Sequence, residues 1–521
     1  MEMRMIGILS VCAAALTGFG VVGEGLPREL SSSVFDLSVG RDWRLEQNVK
    51  EKGKKGTIVC TRQYESAGQT VILNPRELRP AGLYLFTDEQ SGVETTRNGT
   101  IAERLGLHVE LPRDCRVKTI TYRHLFDFDP SLRIKGEAAV VPDDVETDSL
   151  KPFPVLRPVP EQLKDSNRHY QACPSVTVSP KGRLWVAFLT GDSTEGEENV
   201  NVVISSGDDG RTWTKPLFAL GCPGPLRVMD CGLWTDPQGR VWLFYTQLFG
   251  FWDGRAGLWV KQALDPEDPN TEWTPARRIC DGYLKNKPTS LSDGRILLPV
   301  EFFDPGFTGY AGRHGHFVSL PPEFLHDSAC YNQYNAFEAA PGLADARFLG
   351  QSRCPRNLFT FPENMIVERR DGSLWMLMRT VFGIGEASST DGGRTWTDMC
   401  PSKIPHPSAR FFICRLRSGA LLLIKNGDMK NAKGRNRICA FVSDDDGATW
   451  TGGLELDGRD NVSYPDAAQG ADGMIHVVHD FDREGKCEIM YHRISEADVR
   501  AGRLVTSGSR LGVVANKAGR T

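Results

Sequence analysis

The sequence lacks the features of a nucleic-acid-binding or membrane-spanning protein. Its 62 lysines and arginines are balanced by 66 aspartates and glutamates, with no basic run and no basic half. A protein that binds nucleic acid needs a concentrated basic surface. Beyond residue 22, no stretch approaches the roughly 18 apolar residues of a membrane helix. We therefore expect a mature chain that binds no nucleic acid and does not span a membrane.

Metal-binding motifs are also missing. The 13 cysteines are scattered, with no Cys-x-x-Cys spacing, and no run of carboxylates has the spacing of a calcium loop. We therefore predict no zinc site, no calcium site and no cofactor. The cysteines beyond the N-terminal segment are compatible with disulfides or with buried free thiols, and their pairing cannot be deduced from the sequence.

The one long apolar segment, residues 5–22, lies at the N-terminus. Arg4 precedes it and small residues occupy positions 20–23, an order typical of a secretory signal peptide. We predict that residues 1–23 are such a peptide, which makes the protein secreted or periplasmic. An N-terminal membrane anchor is the alternative, although glycine and threonine interrupt the apolar segment.

Helical periodicity is almost absent, and a tight turn followed by an apolar run takes its place. Only residues 495–502 read as a helix, and a short one. The turn has a glycine after a polar residue, which supplies a corner of positive φ, and the apolar run predicts a buried strand. A unit that repeats at steps of 57, 55, 78, 47 and 54 residues is typical of a propeller or solenoid. Its six glycines are Gly182, Gly239, Gly294, Gly372, Gly419 and Gly473.

A second pattern, Ser-x-Asp-x-Gly-x-Thr-Trp, runs in phase with the first. Complete copies begin at Ser206, Ser389 and Ser443, and a worn copy survives at residues 272–274. The Ser and Asp side chains can bond turn backbone, the glycine relieves the corner, and the tryptophan packs between neighbouring sheets. We therefore assign these copies a structural rather than a catalytic role.

Together the repeats predict an all-β protein, a six-bladed β-propeller that occupies residues 160–515. Residues 26–150 lack the repeat, but segments 56–60 and 117–122 predict strands, so we expect a small β-rich accessory region there. The proline-rich span 151–160 reads as a semi-rigid connector. From residue 304 to 350 the repeat gives way to what reads as a long insertion, the kind of propeller loop that shapes a binding face.

The eight-residue pattern is the Asp box, and on its three copies the chain resembles the sialidase (neuraminidase) superfamily over roughly residues 165–500. The resemblance implies a six-bladed propeller that hydrolyses glycosides. In that family a tyrosine is the nucleophile, a glutamate takes its proton, three arginines hold the substrate carboxylate, and an aspartate on a mobile loop is the general acid. A neutral phenol suits an anomeric carbon that bears a carboxylate, and arginine forks suit the carboxylate itself.

Four residues match the family's order and spacing. Glu363 precedes the turn and strand of the fourth blade, and Arg379 follows it by 16 residues, as the family's glutamate and second arginine do. Tyr464, in Ser-Tyr-Pro-Asp, resembles the nucleophile. Arg435 stands 29 residues before Tyr464, as the third arginine of the triad does. Arg410 and Arg437 compete with it for that place.

The first blade departs from the family's pattern. Ala172 occupies the position of the first triad arginine, so the chain resembles a divergent member that lacks it, with Arg168 or Arg227 as substitutes. The family's spacing puts the general acid in the acidic loop of residues 192–198, where Asp192 and Glu195 are the candidates. Further candidates for substrate binding are Arg227, Asp230, Arg255 and Arg410.

The predicted function is that of a secreted, exo-acting glycoside hydrolase that removes a terminal, acidic sugar from a glycan or polysaccharide. Tyr464 and Glu363 form its nucleophile pair. Two alternatives keep the fold. One is a polysaccharide lyase or a hydrolase that uses His169 or His406 with Tyr464, and the other is a glycan-binding propeller without activity. The sequence predicts neither the sugar nor an oligomeric state.

Overall fold

The structure, a computed structural model, describes residues 151–191, 195, 199–221, 226–249, 256–301, 331–355 and 358–519. In the N-terminal part it describes seven strands. The predicted signal peptide and the candidates Asp192 and Arg255 lie outside the described residues. The chain divides into two units, one of Met1–Lys151 with Phe249–Asp253 and one of Pro152–Leu248 with Gly254–Thr521.

The first unit contains an antiparallel sheet of five strands in the order β1-β2-β7-β4-β5 and a pair, β3 with β6. The predicted strands at residues 56–60 and 117–122 coincide with β2 and β7. The seven strands are β1 (Arg44–Lys50), β2 (Thr57–Ser66), β3 (Thr70–Ile72), β4 (Gly82–Asp88), β5 (Glu94–Asn98), β6 (His108–Glu110) and β7 (Val117–Leu125).

The second unit is a six-bladed β-propeller, as predicted, and each blade is built from consecutive antiparallel strands, which form one sheet in every blade except blade three, where a two-stranded sheet accompanies the four-stranded one. Blade one is β8 (Val155–Leu156), β9 (Tyr170–Val178), β10 (Leu184–Gly191), β11 (Val200–Ser206) and β12 (Phe218–Leu220). Blade two is β13 (Leu226–Thr235), β14 (Val241–Phe249), β15 (Gly257–Gln262) and β16 (Arg277–Asp281). Blade three comprises β17 (Tyr283–Leu284), β18 (Thr289–Ser290), β19 (Ile296–Leu298), β20 (Val300–Glu301), β21 (Tyr331–Ala339) and β22 (Ala346–Pro355).

The last three blades have four strands each. Blade four is β23 (Phe359–Glu368), β24 (Leu374–Thr380), β25 (Gly383–Ser389) and β26 (Cys400–Pro401). Blade five is β27 (Phe412–Arg415), β28 (Leu421–Asn426), β29 (Asn436–Ser443) and β30 (Thr451–Asp460). Blade six is β31 (Val462–Gln469), β32 (Ile475–Phe481), β33 (Glu488–Ile494) and β34 (Arg510–Lys517). The predicted short helix is α1 (Glu496–Ala501), with Ser495 as N-cap and Gly502 as left-handed C-cap.

The six predicted turns are one structure repeated. Each joins the innermost strand of a blade to its second strand, and the glycine has a φ between 80° and 98°. In blade one, the Ser179 N–H donates to the Arg183 carbonyl and the Gly182 N–H donates back to the Ser179 carbonyl. The same two bonds recur in the other five blades. Because only glycine adopts this φ without strain, the repeat in sequence fixes the repeat in structure.

The Asp boxes act as turn staples, as predicted. In the first, Asp208 accepts bonds from the Thr212 N–H at 2.9 Å and the Thr212 hydroxyl at 2.7 Å, while the Ser206 hydroxyl accepts from the Gly210 N–H at 2.9 Å. The Trp213 ring then meets Tyr491 of blade six edge to face, with ring centroids 5.2 Å apart. Each box therefore satisfies its own backbone and offers a ring to the adjacent blade.

Blades one and six meet without exchanging a strand, so side chains close the ring. Their facing sheets share an apolar core that includes Val176 and Tyr491. Around it, the Arg168 guanidinium donates to the Asn516 side chain at 3.0 Å, and Asp480 accepts from the Cys173 N–H at 2.9 Å. Apolar packing supplies the contact area, and these directional bonds fix the position of the last blade against the first.

One fully buried carboxylate, that of Asp466 in β31, connects four blades. It accepts bonds from the Ser175 hydroxyl at 2.7 Å and the Val176 N–H at 2.9 Å in blade one. It also pairs with Lys287, which precedes β18 of blade three, and with Arg410, which precedes β27 of blade five, the latter at 3.3 Å. A buried charge needs such partners to remain ionised, and here they come from around the central channel.

The interval predicted as one long insertion, residues 304–350, is an insertion only in part. Strand β21 and the first half of β22 lie within it, so the expectation was wrong for residues 331–350. In β21 the buried Asn335 bonds the Glu301 carboxylate through its N–H at 2.7 Å and its side chain at 3.1 Å. Polar residues satisfied in this way interrupt the apolar run by which a buried strand is recognised.

Among the described residues no group of His, Cys, Asp and Glu could hold a metal ion. In that same part of the chain no helix is long and apolar enough to cross a membrane. The eight cysteines described there are all free thiols, and six of them are buried.

Replacing Asp466 should cost far more stability than replacing an exposed acid of the same blade. Asp466→Asn leaves Lys287 and Arg410 without their anion, so we expect the free energy of unfolding to fall by about 3–5 kcal/mol. Asp472→Asn, which removes a half-exposed ion pair with Arg493, should cost about 0–1 kcal/mol. Denaturant unfolding measures both, and equal losses would contradict the role of Asp466.

Acid should destabilise blade six through two stacked histidines. The His479 and His492 rings are fully buried and lie 5.1 Å apart, and burial lowers the pKa of both below the usual value. The unfolded chain therefore binds these protons at a higher pH than the folded chain does. Stability should be constant above about pH 6.5 and should decrease as the pH falls further.

His492→Asn tests this, because its side-chain oxygen can replace the ring nitrogen that accepts from the Gly512 N–H. The variant should lose about 1 kcal/mol less stability than the parent between about pH 7 and pH 5. The exposed His169, changed to Asn, is the control and should leave the pH profile of denaturant midpoints unaltered. A parent midpoint that does not change over this range would contradict the prediction.

Candidate active site

Three innermost strands carry a bulge that contains a proline, and each bulge directs a side chain into the channel. In blade one the pairing register shifts between Ala187 and Leu189, opposite β9. In blade four it shifts within β23, and in blade six between Ser463 and Asp466 of β31. The side chains that these bulges direct into the channel are those of Cys173, Glu363 and Tyr464. A bulge re-aims the side chain and tolerates a proline, which a regular inner strand does not. Cys173 and Tyr464 each precede the proline and have a φ of 57° and 54°.

Tyr464 and Glu363 meet at the centre of the site. The Tyr464 hydroxyl donates to Glu363 Oε1 at 2.5 Å. Arg379, at the end of β24, donates from one nitrogen to Glu363 Oε2 at 3.0 Å and to the Tyr464 oxygen at 3.1 Å. The Phe361 ring lies 4.7 Å from the guanidinium carbon. Blades four and six thus fix a phenol, a carboxylate and a guanidinium in one triangle of hydrogen bonds.

The surroundings keep Glu363 ionised and Tyr464 neutral. Burial alone would raise the pKa of Glu363, but the charges of Arg379 and Lys285 and the bond from Tyr464 outweigh it and lower that pKa. Burial, and then the Glu363 charge, raise the pKa of Tyr464. The pair is therefore a hydrogen-bonded phenol and carboxylate in which Glu363 is the acceptor for the phenol proton.

Three further cations surround the Tyr464 ring. The Lys285 ammonium lies 4.5 Å from the ring centroid, and the guanidinium carbons of Arg483 and Arg435 lie 4.3 and 5.4 Å from it. Lys285 pairs with Asp230 at 2.5 Å. Arg483 pairs with Asp480 at 3.0 Å and donates to the Ser463 hydroxyl at 3.1 Å.

Arg435 is the cation of this cluster that has no carboxylate partner among the described residues. Its side chain contacts the Tyr464 ring but makes no hydrogen bond and no ion pair with any described residue. Burial and the nearby charge of Arg483 lower its pKa. Since Arg379, Arg483 and Lys285 each have a carboxylate partner, the described cluster carries one uncompensated positive charge. Such a site favours an anionic ligand.

The structure brings together all four matched residues: Tyr464, Glu363, Arg379 and Arg435 form one cluster, and Asp230 is paired with Lys285 beside it. Arg410 does not join as a free cation. Its three nitrogens donate to Asn286, to the Pro465 carbonyl and to Asp466, so its role is structural.

The remaining candidates lie elsewhere or are only partly described. Glu195 is half-buried, and its charge acts on Tyr170 of β9. Arg227 lies in β13, but its side chain is outside the described residues, as are Asp192 and Arg255. Ala172 is fully buried in β9.

The other residues considered from the sequence are arranged differently. Arg168 is fully buried and its nitrogens donate to Asp165, Gln171, Thr190 and Asn516. His169 is exposed, whereas His406 is buried. Its Nε2 accepts a bond from a backbone N–H, and burial holds its pKa well below the usual value.

Two members of the cluster were not predicted, Lys285 and Arg483. Lys285 stands in Lys-Asn-Lys-Pro ahead of β18, and Arg483 in a polar turn after β32, which reads as a solvated hairpin. The proline after Lys287 could have marked the first, because prolines mark the channel bulges of blades one, four and six. For Arg483 only the fold shows that this turn lies beside Tyr464.

A cavity of about 570 Å³ opens at the other end of the channel, and it contains none of these residues. Trp234, Phe412 and Arg417 are part of its wall, close to the six glycine turns. Lys287 lies between this cavity and Asp466, so the buried ion network separates it from the cluster.

The unpaired charge of Arg435 predicts a contrast between two arginine variants. Arg435→Met removes a cation without a partner, so the free energy of unfolding should be unchanged or higher by about 1 kcal/mol. Arg379→Met leaves Glu363 buried beside a neutral phenol and should cost about 3 kcal/mol or more. Denaturant unfolding of both variants tests this, and an equal loss would show that Arg435 has a structural partner.

Comparison with known proteins gives a match to the family described as BNR repeat-like domain, over residues 225–477. No curated protein sequence matches. Similar solved structures include a protein of unknown function from Dyadobacter fermentans, with 17% identity, coverage of 64% of this chain and 95% of that one, and a TM-score of 0.47. A Hadza microbial sialidase, Hz136, has 14% identity, coverage of 88% and 97%, and a TM-score of 0.49.

The intramolecular trans-sialidase from Ruminococcus gnavus, solved with oseltamivir carboxylate, has 15% identity, coverage of 65% and 96%, and a TM-score of 0.45. The family match covers five of the six blade turns and two complete Asp boxes. Taken with the six blades of the fold, it shows that residues 225–477 of this six-bladed β-propeller are similar to a BNR repeat-like domain.

Proposed function

We propose that the protein is an exo-acting glycoside hydrolase that removes a terminal, negatively charged sugar by way of a covalent intermediate on Tyr464. The observation that carries this proposal is the 2.5 Å bond from the Tyr464 hydroxyl to Glu363, with Arg379 bonded to both. A tyrosine becomes a nucleophile when a base takes its proton, and Glu363 is an ionised base already in contact with that proton.

The substrate we propose carries a carboxylate on or next to the anomeric carbon. Arg435 supplies an unpaired cation beside the Tyr464 ring, and Arg483 stands on the same ring with a carboxylate partner of its own. A guanidinium binds a carboxylate through two parallel bonds, which fixes the sugar's orientation as well as its charge. A phenol also approaches such a carbon without the repulsion that an anionic nucleophile would meet.

In the first step, a bond forms between the Tyr464 oxygen and the anomeric carbon while the bond from that carbon to the leaving oxygen breaks. Glu363 receives the phenol proton. The leaving oxygen takes a proton from a general acid, for which we retain Asp192 and Glu195 of the acidic loop. Water then attacks the same carbon, gives its proton to that loop and releases Tyr464, which recovers its proton from Glu363.

The histidine-dependent alternative has less support. His406 is buried and its Nε2 already accepts a backbone bond, so it has no free acceptor for a substrate proton. A glycan-binding propeller without activity remains as an outcome of the test, because it would use the same arginines.

The test is release of fluorophore from a panel of aryl glycosides that includes sialosides, uronides and deoxy sugars. We expect turnover of an acidic glycoside, and a loss of about a thousandfold or more in kcat for Tyr464→Phe and for Glu363→Gln. Tyr245→Phe is the matched control, since Tyr245 is a buried tyrosine whose hydroxyl has no partner. It should retain parental kcat.

The contrary results are distinct. Full activity of Tyr464→Phe would overturn the tyrosine mechanism. Unsaturated product from a uronate polymer, with every aryl glycoside untouched, would indicate a lyase. Binding of an acidic sugar without turnover of any glycoside would indicate a binding protein.

A further inference from the structure

A buried ion pair lies against the ring of Tyr464 without taking part in its hydrogen bonds. Lys285 and Asp230 are 2.5 Å apart, and their side chains are 5% and 7% exposed. Lys285 follows β17 of blade three, whereas Asp230 lies in β13 of blade two. Among the described residues Asp230 is the single ion-pair partner of Lys285, and the second Asp230 oxygen is buried without a partner. The pair therefore joins blades two and three by one ion pair, whereas the Asp466 network joins four blades.

The positive charge of the pair is the one that lies over the Tyr464 ring. That charge, on the Lys285 ammonium, lies 4.5 Å from the Tyr464 ring centroid, and Asp230 reaches the ring only through it. The other ionisable groups that face Tyr464 come from five elements and their flanks, and most belong to bonded pairs. They are Glu363 of β23, Arg379 of β24, Arg435 before β29, Arg483 with Asp480 at the end of β32, and Cys173 of β9.

A positive charge held at this distance stabilises an anionic ring and has little effect on a neutral one. The effect is large because the pair is buried, so water does not screen it. The Asp230 charge acts in the opposite sense, but of the two groups it is the Lys285 ammonium that lies over the ring. The net effect on the phenolate is favourable, and it opposes the unfavourable effect of burial and of the Glu363 charge.

We propose that the Lys285–Asp230 ion pair is a positioning pair that stabilises the phenolate form of Tyr464, Lys285 by its charge and Asp230 by holding Lys285 in place and partly offsetting it. The inference rests on the proposed function for its meaning in catalysis. Its electrostatic content does not, because the acidity of Tyr464 can be measured without turnover.

The two members of the pair should act with opposite sign, which a merely structural role would not produce. Lys285→Met removes the cation and leaves Asp230, so the pKa of the residue 464 phenol should rise by roughly one to two pH units. Asp230→Asn removes the anion, while Glu363 still keeps Lys285 charged, so that pKa should fall by roughly one pH unit.

The measurement uses a ring-fluorinated tyrosine incorporated at position 464 in the full chain. Fluorine makes the phenol more acidic, which brings its titration into the range where the protein is folded, and the single fluorine resonance reports that phenol alone. The titration is recorded for the parent, Lys285→Met and Asp230→Asn. Far-ultraviolet circular dichroism at each pH establishes that the chain is folded.

Two controls separate charge from packing. Lys285→Arg keeps the charge and should titrate within a few tenths of a pH unit of the parent. Lys425→Met removes another buried lysine that lies over an aromatic ring, Phe441 of blade five, at 5.7 Å. It should leave the titration of position 464 unchanged.

Kinetics give a second readout on the chain with its natural tyrosine. Lys285→Met should lower kcat by about tenfold to a hundredfold with KM nearly unchanged, because a pair that acts through Tyr464 affects the reactivity of the phenol and not substrate binding. Equal titrations in the parent, Lys285→Met and Asp230→Asn, or shifts of the same sign in the two variants, would overturn the inference. A parent without activity on any glycoside would overturn the proposed function and leave the titration result standing.

Discussion

The Asp466 carboxylate is the interaction on which the rest of the molecule depends. A propeller whose first and last blades exchange no strand has to be closed by side chains, and Asp466 joins blades one, three, five and six at the wall of the channel. It lies two residues after Tyr464 on the same strand. The position of the phenol therefore follows from the position of the carboxylate, and the closure of the fold and the geometry of the site have one origin.

The site concentrates buried charge, which by itself opposes folding. Three cations around Tyr464 are matched by carboxylates from their own or a neighbouring blade, so the cost of desolvating each charge is largely offset. Arg435 is the exception. An unpaired cation does not add to the stability of the fold. Residues of this kind are typical of binding sites. The unpaired charge gives the cluster a net positive charge, and that charge is what favours an anion over a neutral sugar in the proposed function.

Local features of the fold could be read from the sequence, because local chemistry determines them. Gly182 and its five counterparts need a positive φ, and Asp208 closes its own turn. In both patterns, therefore, residues within the pattern determine the turn. β21 could not be read in this way, since Asn335 is buried on the strength of a bond to Glu301, a residue far away in the sequence. Pattern recognition sees the polarity of Asn335 and not its partner.

The same distinction between local and long-range features applies to the site. Tyr464, Glu363 and Arg379 were accessible through their spacing, whereas the pairing of charges was not. Arg410 and Arg435 are equivalent in sequence terms, yet the first is saturated by Asp466 and its neighbours and the second is unpaired. Arg483 was overlooked for the converse reason, because its turn reads as solvated surface. Such distinctions depend on contacts between blades, which no single segment encodes.

The bulges of the innermost strands have a further consequence. Cys173 and Tyr464 occupy the same backbone corner in blades one and six, each before a proline and each at a positive φ. One corner presents a thiol and the other a phenol, although the strands around them are alike. The two corners are thus equivalent backbone positions. A substitution at such a position changes the chemistry of the channel one side chain at a time, without any change in the blades. A new activity in such a protein requires a substitution at a corner and no new fold.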